Sequence, residues 1–369
     1  MEHPDIPRVG NGERRENTMS LDAIPYKPPR PSAFVPRVAL VGCGAVAPRH
    51  LEACRALGFP VLALCDVDEA KARRLRDQFF PEAAVFSDYR RMLRACDAEI
   101  IDVATPPEGR ALIIEDALCG GRHVLSQKPF VTDLDRGLQL VELAESMGLK
   151  LAVNQNARWA PHFSWARHAV ERGLIGDVIS ARFVVHWDYR STPSSFRGSR
   201  DWILFEYGIH WFDLARMFMG GDQAVQVFAS TARGSAPADM PDLLAQAVIT
   251  YPDGQASIGL NGAARVGADD YTVITGVQGM IVSRGPDKNH QQVIAYLEKG
   301  PVSPQLEGDW NTFGFQGTLG ELAVAIEEDR KHYGGARQNL ESLALCFAAV
   351  QSSLTGRPCE PWSVRRLPL

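Results

Sequence analysis

The sequence predicts two joined units. The first is an α/β unit whose parallel sheet carries helices on both faces, a Rossmann-type dinucleotide-binding arrangement. The second is an α+β unit whose open, mainly antiparallel sheet is covered by helices on one face. Strand and helix patterns alternate as far as Val153, which builds a parallel sheet. A glycine-rich turn lies between the first strand and the first helix. From Val178 onward the strand patterns follow too closely for crossover helices between them. At 369 residues the chain is long enough for two domains.

The first 34 residues are polar and contain Pro4, Pro7, Pro25, Pro28, Pro29 and Pro31, without a basic start or an apolar core. A secretory signal is therefore not expected. Residues 1–34 are read as a proline-rich flexible arm, with Met19 an alternative start. Tyr26–Pro36 is suited to lie extended on a neighbouring subunit.

Residues 35–155 form the first unit. Arg37–Val41 is a short apolar strand, and Pro48 opens a helix with Leu51, Cys54 and Leu57 on one side, stopped by Gly58. Val61–Cys65 is the second strand and Glu69–Phe80 an amphipathic helix. Glu99–Ala104 is a third strand, ended by Thr105-Pro106-Pro107. The helix Arg110–Cys119 and the strand His123–Leu125 follow. Thr132 with Asp135 opens another helix in capping-box fashion, and Lys150–Val153 closes the series.

Residues 156–369 form the second unit. Its strands are Val178–Trp187, Gln223–Ser230, Leu243–Tyr251, Ala256–Leu260, Tyr271–Thr275 and Val293–Leu297. Tyr251-Pro252-Asp253-Gly254 reads as a hairpin turn. Helices are expected at Pro161–Arg172, Phe205–Met219, Gln316–Arg330 and Asn339–Leu354. The helix-free face of this sheet predicts a homodimer or homotetramer.

Composition narrows the function. Hydrophobic residues make up 45% and charged residues 22%, with a formal net charge of −5, so neither nucleic acid nor an anionic membrane is an expected partner. Seven cysteines are scattered without a CxxC pair, which fits reduced thiols in the cytoplasm and not a structural zinc site. No run of roughly 18 apolar residues occurs.

Gly42-Cys43-Gly44-Ala45-Val46-Ala47 matches G-x-G-x-x-A between a strand and a helix. Gly42 allows the tight turn, Gly44 admits a pyrophosphate close to the backbone, and Ala47 lets helix and strand pack closely. The helix N-terminus offers the phosphates unpaired N–H groups and a positive dipole end. Asp66 ends the second strand 19 residues beyond Ala47, where it can grip the ribose hydroxyls. A carboxylate there repels a 2′-phosphate, which favours NAD over NADP.

Several further segments, in order, make the chain resemble the glucose-fructose oxidoreductase/inositol dehydrogenase/MocA (Gfo/Idh/MocA) family from Val35 to Pro361. Val38-Ala39-Leu40-Val41-Gly42-Cys43-Gly44 with His50 is similar to its opening. Ala104-Thr105-Pro106-Pro107 is similar to its third landmark, although Arg110 stands where a histidine is usual. Ser126-Gln127-Lys128-Pro129 resembles the Glu-Lys-Pro segment, with Gln127 for the glutamate. Asn156-Ala157-Arg158-Trp159 resembles an Asn-Arg-Arg-Phe segment. Glu206-Tyr207-Gly208-Ile209-His210-Trp211-Phe212-Asp213 resembles the Asp-x-Gly-x-His-x-x-Asp helix, and Thr355-Gly356-Arg357-Pro358 the usual ending. The resemblance implies an NAD-dependent oxidoreductase that moves a hydride between nicotinamide and a hydroxyl of a sugar, sugar acid or cyclitol. Two alternatives stand beside it: a redox-neutral NAD-using glycosidase or isomerase, and a non-catalytic NAD-binding sensor.

Removing hydride from an alcohol requires a base for its O–H proton. Glu206, His210 and Asp213 fall at i, i+4 and i+7, on one face of a helix, and His210 titrates near neutrality when unperturbed. Lys128 follows a strand at the carboxyl edge of the sheet and can stabilise a developing alkoxide. With Gln127 replacing a carboxylate, Lys128 is expected to lose its proton more easily. The catalytic candidates are Lys128, His210 and Glu206. Gly42, Gly44, Ala45, Val46, Asp66, Thr105, Pro106, Gln127 and Lys128 are the cofactor candidates. Asn156, Arg158 and Asp213 are expected to line the substrate site, and no metal is expected because no fourth ligand is evident. Trp187, Arg190, Arg197 and Arg200 are candidates for stacking on a sugar or holding a carboxylate.

Overall fold

The structure is a computed structural model that describes residues 24–189, 202–220, 224–234 and 240–368. The first sheet contains β1 (Val38–Val41), β2 (Val61–Cys65), β3 (Ala84–Phe86), β4 (Ile100–Val103), β5 (His123–Gln127) and β6 (Leu151–Asn154). Its order is β3-β2-β1-β4-β5-β6, with every pairing parallel. Helices α1 (Ala47–Leu57), α2 (Glu69–Phe79), α3 (Tyr89–Ala95), α4 (Arg110–Cys119) and α5 (Leu134–Ser146) make the connections. The order reverses between β1 and β4, where a crevice opens beyond the strands' carboxyl ends.

Local chemistry explains the ends of these elements. Gly58 stops α1 with φ 77°, a left-handed conformation that costs glycine little. The start of α5 differs from expectation: Asp133, not Thr132, is the cap, its carboxylate accepting from the N–H groups of Asp135 and Arg136. The pair β3 and α3 was not read from the sequence. The strand has three residues, none fully buried, and so lacks an apolar signature.

The second sheet holds β7 (Val178–His186), β8 (Gln226–Ala232), β9 (Leu244–Tyr251), β10 (Gly254–Asn261), β11 (Asp269–Gly276), β12 (Gly279–Asp287), β13 (His290–Leu297) and β14 (Gly300–Val302). Its order is β14-β13-β12-β11-β7-β10-β9-β8. All pairings are antiparallel except β7 with β10. Pro252 and Asp253 turn β9 into β10 as expected. Helices α6 (Pro161–Glu171), α7 (Ile209–Met219), α8 (Trp310–Glu327) and α9 (Ala336–Thr355) complete this part. A register runs across the sheet from Phe228 through Val248, Ser257, Arg182, Val273 and Val282 to Ile294. Phe228 and Val248 on that row are exposed, so this face carries no helix over them.

Helix α8 starts six residues earlier than expected, at Trp310, and it does not stay with the second sheet. Phe315, Leu319, Leu322 and Ala323 are buried among Leu40, Leu51, Leu64 and Leu125 of the first unit. A Cβ on Gly317 would overlap Trp159, and one on Gly320 would overlap the carbonyl of Pro29, so three separate segments press on this helix from different sides. The described part of the N-terminal arm also departs from expectation, because it lies on its own chain. The N–H groups of Ser32, Ala33 and Phe34 donate to the Glu327 carboxylate at 2.8, 2.7 and 2.8 Å. Lys27 pairs with Glu307 at 2.8 Å. Residues 1–23 lie outside the described residues. No helix among the described residues is long and apolar enough to cross a membrane.

Candidate active site

The glycine turn leaves β1 and enters α1. Gly42 has φ 98°, and a Cβ there would come within 2.8 Å of Ala104 and Thr105. Only glycine fits this approach. Gly44 and Ala45 are exposed, and a Cβ on Gly44 would meet nothing within 4 Å, so open space lies against that backbone. Asp66 Oδ2 accepts from the Cys43 N–H at 2.7 Å, and Oδ1 accepts from the Asp68 N–H at 2.9 Å. The carboxylate thus holds the turn from the end of β2 while staying half-exposed to a ligand. Val46 caps α1 without a side-chain bond. The Ala47 and Arg49 N–H groups donate to the Gly44 and Val46 carbonyls at 3.2 and 3.0 Å, and Pro48 has none, so a phosphate here would meet the turn before the helix and the positive end of its dipole. Thr105 Oγ1 is buried without a partner among the described residues, and Pro106 is exposed beside it. These residues fit a dinucleotide: an open backbone cradle, a helix N-terminus and a carboxylate at the ribose position.

Behind this surface is a buried polar network, of which only Gln127 was read from the sequence as a site residue. His50 Nδ1 lies 2.7 Å from Asp102, and its Nε2 lies 3.2 Å from Gln127 Oε1. Asn154 Nδ2 donates to the same Gln127 oxygen at 2.8 Å. A glutamine here accepts from Asn154 and meets the His50 ring without adding a second buried carboxylate near Asp102, which would be costly to desolvate. Arg110, which stands where the family usually has a histidine, is 1% exposed. Its guanidinium donates to the carbonyls of Thr105, Gln127 and Pro129, including 2.6 Å to Gln127 and 3.0 Å to Thr105. It therefore clamps the two segments flanking Lys128, and burial lowers its pKa to about 10.

Lys128 leaves the end of β5 through a cis bond to Pro129. Its Nζ donates to the Glu206 carbonyl at 2.8 Å and lies 3.7 Å from the Glu206 carboxylate. Burial lowers the Lys128 pKa, the Glu206 charge opposes this, and Arg110 adds to the lowering. The direction matches expectation, but the causes are burial and Arg110. Burial raises the Glu206 carboxyl, against the pull of Lys128 and Arg110. His210 lies in the first turn of α7. Burial holds its pKa well below 6.5, with Lys128 and Lys288 pushing the same way. Its Nδ1 is buried without a partner among the described residues. A neutral imidazole with an open nitrogen is the form a general base needs.

The acidic residues do not share one α-helical face. Residues Trp202–Tyr207 form a π-helical turn, and α7 starts only at Ile209, so the expected single helix is broken ahead of His210. A π turn advances side chains differently from an α turn, and such turns recur at functional sites. Glu206 ends up against Lys128. Asp213 instead faces the core at 0% exposure, bound by Arg158 at 2.5 and 2.6 Å and by Ser342 Oγ at 2.7 Å. Arg158, 1% exposed, spends its charge on this pair and lies over the Tyr333 ring. Neither side chain offers its charged end to the crevice, contrary to the substrate role expected of both. Asn156 is also buried, but its Oδ1 has no partner among the described residues. Trp187 meets Tyr207 at 5.7 Å between ring centroids. Arg190, Arg197 and Arg200 lie outside the described residues.

Sequence reasoning also missed Lys288, at the β12–β13 turn. Its Nζ lies 5.7 Å from the Trp187 ring centroid and 5.5 Å from that of Trp310. Trp310 in turn meets His210 edge-on at 5.6 Å. No local signal marks this lysine, because its neighbours come from distant parts of the chain.

A family model described as an oxidoreductase family with an NAD-binding Rossmann fold matches residues 36–155, and a Gfo/Idh/MocA C-terminal domain model matches residues 163–282. The chain is 31% identical over 227 residues to the D-apiose dehydrogenase of Paraburkholderia graminis, covering 60% of this chain and 58% of that protein. It is 26% identical over 326 residues to the inositol 2-dehydrogenase of Rhizobium meliloti, covering 86% of this chain and 96% of that one. Among solved structures, an Agrobacterium radiobacter oxidoreductase in complex with NAD+, L-tartaric acid and magnesium aligns with a TM-score of 0.79 at 20% identity. That alignment covers 89% of this chain and 98% of the other. Matched over both of its units, the chain belongs to the Gfo/Idh/MocA family of oxidoreductases and carries that family's NAD-binding Rossmann domain.

Proposed function

We propose that this protein is a dehydrogenase for a hydroxyl of a small polyhydroxylated molecule: a sugar, sugar acid or cyclitol. The observation that carries the reading is the meeting of Lys128, Glu206 and His210 at the carboxyl end of the parallel sheet. The names of its relatives, which act on D-apiose and inositol, support the substrate class. Residues 35–155 would hold the cofactor and residues 156–369 the substrate, in the cytoplasm.

NAD, held by the Gly42–Val46 turn, Asp66 and the Thr105–Pro106 segment, would supply the hydride acceptor. The remaining work falls to side chains of this chain. Glu206 restrains the Lys128 ammonium through one N–H, leaving two others for the substrate oxygen. A donor fixed there stabilises the charge that develops as the O–H proton leaves. His210, kept neutral by burial, has a nitrogen without a partner among the described residues, able to take that proton. An aromatic cluster of Trp187, Tyr207 and Trp211 packs edge-on against His210.

The test is NADH formation at 340 nm against sugars, sugar acids and inositols. Lys128→Met and His210→Ala are each expected to lower kcat by about 10²- to 10⁴-fold, the usual worth of a positioned acid, base or oxyanion donor. Turnover without NADH release would favour the redox-neutral glycosidase or isomerase. Tight NAD binding without turnover would favour the sensor.

A further inference from the structure

Lys288 lies at a hairpin tip, where a lysine normally extends into water. Here it is half-buried. The two-residue turn is held by Asp287, whose carboxylate accepts from the N–H groups of Asn289 and His290 at 2.7 and 3.1 Å. That bonding fixes the backbone that carries Lys288. The ammonium is flanked by the rings of Trp187 and Trp310, an arrangement that favours a cation. Trp310 also touches the edge of His210.

Charge ties the same groups together. Lys128 and Lys288 both push the His210 pKa down, and Lys128 lowers that of Lys288. Two ammonium groups therefore address one imidazole. Asp270, Asp287 and Arg49 complete the charged surroundings of Lys288. Asp270 is a weak counter-ion, because burial pushes its pKa up to about 7 and its Oδ2 has no partner among the described residues. No hydrogen-bond acceptor for Lys288 occurs among the described residues. Nearby, Trp187 Nε1 and Tyr207 Oη are buried without partners among the same residues. The surroundings of Lys288 thus combine a second ammonium and flat apolar rings with two carboxylates that do not hydrogen-bond it among the described residues.

A ligand matching these surroundings needs an anionic oxygen for the ammonium and C–H groups that can lie beside the tryptophan rings. We propose that Lys288 binds a carboxylate of the substrate, so that this enzyme prefers a sugar acid to the corresponding neutral sugar or to a cyclitol. The inference rests on the dehydrogenase reading for the identity of the pocket, but its test does not require turnover. Arg49, in the first turn of α1 after the glycine turn, also acts on Lys288, which makes a cofactor phosphate the competing partner. The tryptophan faces and the contact through Trp310 to His210 favour the substrate.

Titration calorimetry on NAD-loaded protein decides between them, with D-gluconate against D-glucose and D-galacturonate against D-galactose as probes. At least one acid should bind about tenfold or more tightly than its neutral partner. Lys288→Gln should weaken that acid by about 10- to 100-fold, the worth of a hydrogen-bonded charge. Lys288→Arg should keep most of the affinity, and NAD affinity should be alike in all three proteins. The proposal is overturned if neither acid outcompetes its neutral partner in the unaltered protein. It is equally overturned if Lys288→Gln weakens NAD, or weakens acid and neutral probes alike. Acid-selective binding without NADH formation would remove the dehydrogenase reading and keep this one.

Discussion

Asp213 and Glu206 are the two acids of one motif, and their surroundings set them to different tasks. Asp213 is fully buried, and both of its oxygens are used by Arg158 and Ser342. Removing one partner of such a pair strands a buried charge. Asp213→Ala is therefore expected to cost about 3–5 kcal/mol in urea unfolding, while Arg158→Met with Asp213→Leu recovers much of that loss. Glu206 acts on Lys128 instead. The Lys128 pKa is lowered below 10.5 even though Glu206 raises it. The ammonium form exists below that pKa, so activity should fall as pH rises through it. Glu206→Gln removes a raising influence, and the alkaline limb of kcat/KM should move to lower pH. An unmoved limb would mean that another group controls it. His210 stays neutral through the physiological range, so no loss of activity from its protonation is expected near pH 6.5.

At the scale of elements, the arm offers the clearest test. Glu327 receives three backbone N–H groups, which hold its pKa at about 2 against an ordinary 4.5. A depressed carboxyl stabilises the fold above its unfolded pKa, and that contribution fades as pH falls towards the folded value. Glu327→Ala should abolish hydrogen-exchange protection at Ser32, Ala33 and Phe34, and acidification from pH 4.5 towards 2 should do the same to the unaltered chain. Unchanged protection in the variant would show that other contacts hold the arm. Sequence patterns resolved the elements with strong local signals: β2 and α4 match their expected bounds, and the Gly42–Ala47 turn lies where its motif requires. What escaped had no local signal. Strand β12 contains Gly279, Gly285 and Pro286, which obscure its period of two. The break between Glu206 and His210 arises from a π turn that no apolar spacing encodes. Lys288 becomes a site residue only when tertiary packing brings Trp187 and Trp310 to it.

At the scale of the whole molecule, the helix-free face of the second sheet is the surface left to be covered. Phe228 is 45% and Val248 40% exposed side by side on it, and Tyr296 is 45% exposed opposite Met280. We propose that a second copy of the chain covers this face. Light scattering should give a dimer or tetramer, and Val248→Glu with Tyr296→Glu should give a folded monomer. A stable monomer from the unaltered protein would remove the idea. Helix α8 has a different consequence, one that concerns synthesis. The first sheet is finished at Asn154, but its apolar helix layer is completed by Phe315, Leu319, Leu322 and Ala323. During translation the nucleotide-binding half must wait, with that groove open to solvent and to chaperones, until residues 310–327 have left the ribosome. Any chimera that exchanges this half between relatives has to carry the distant helix with it.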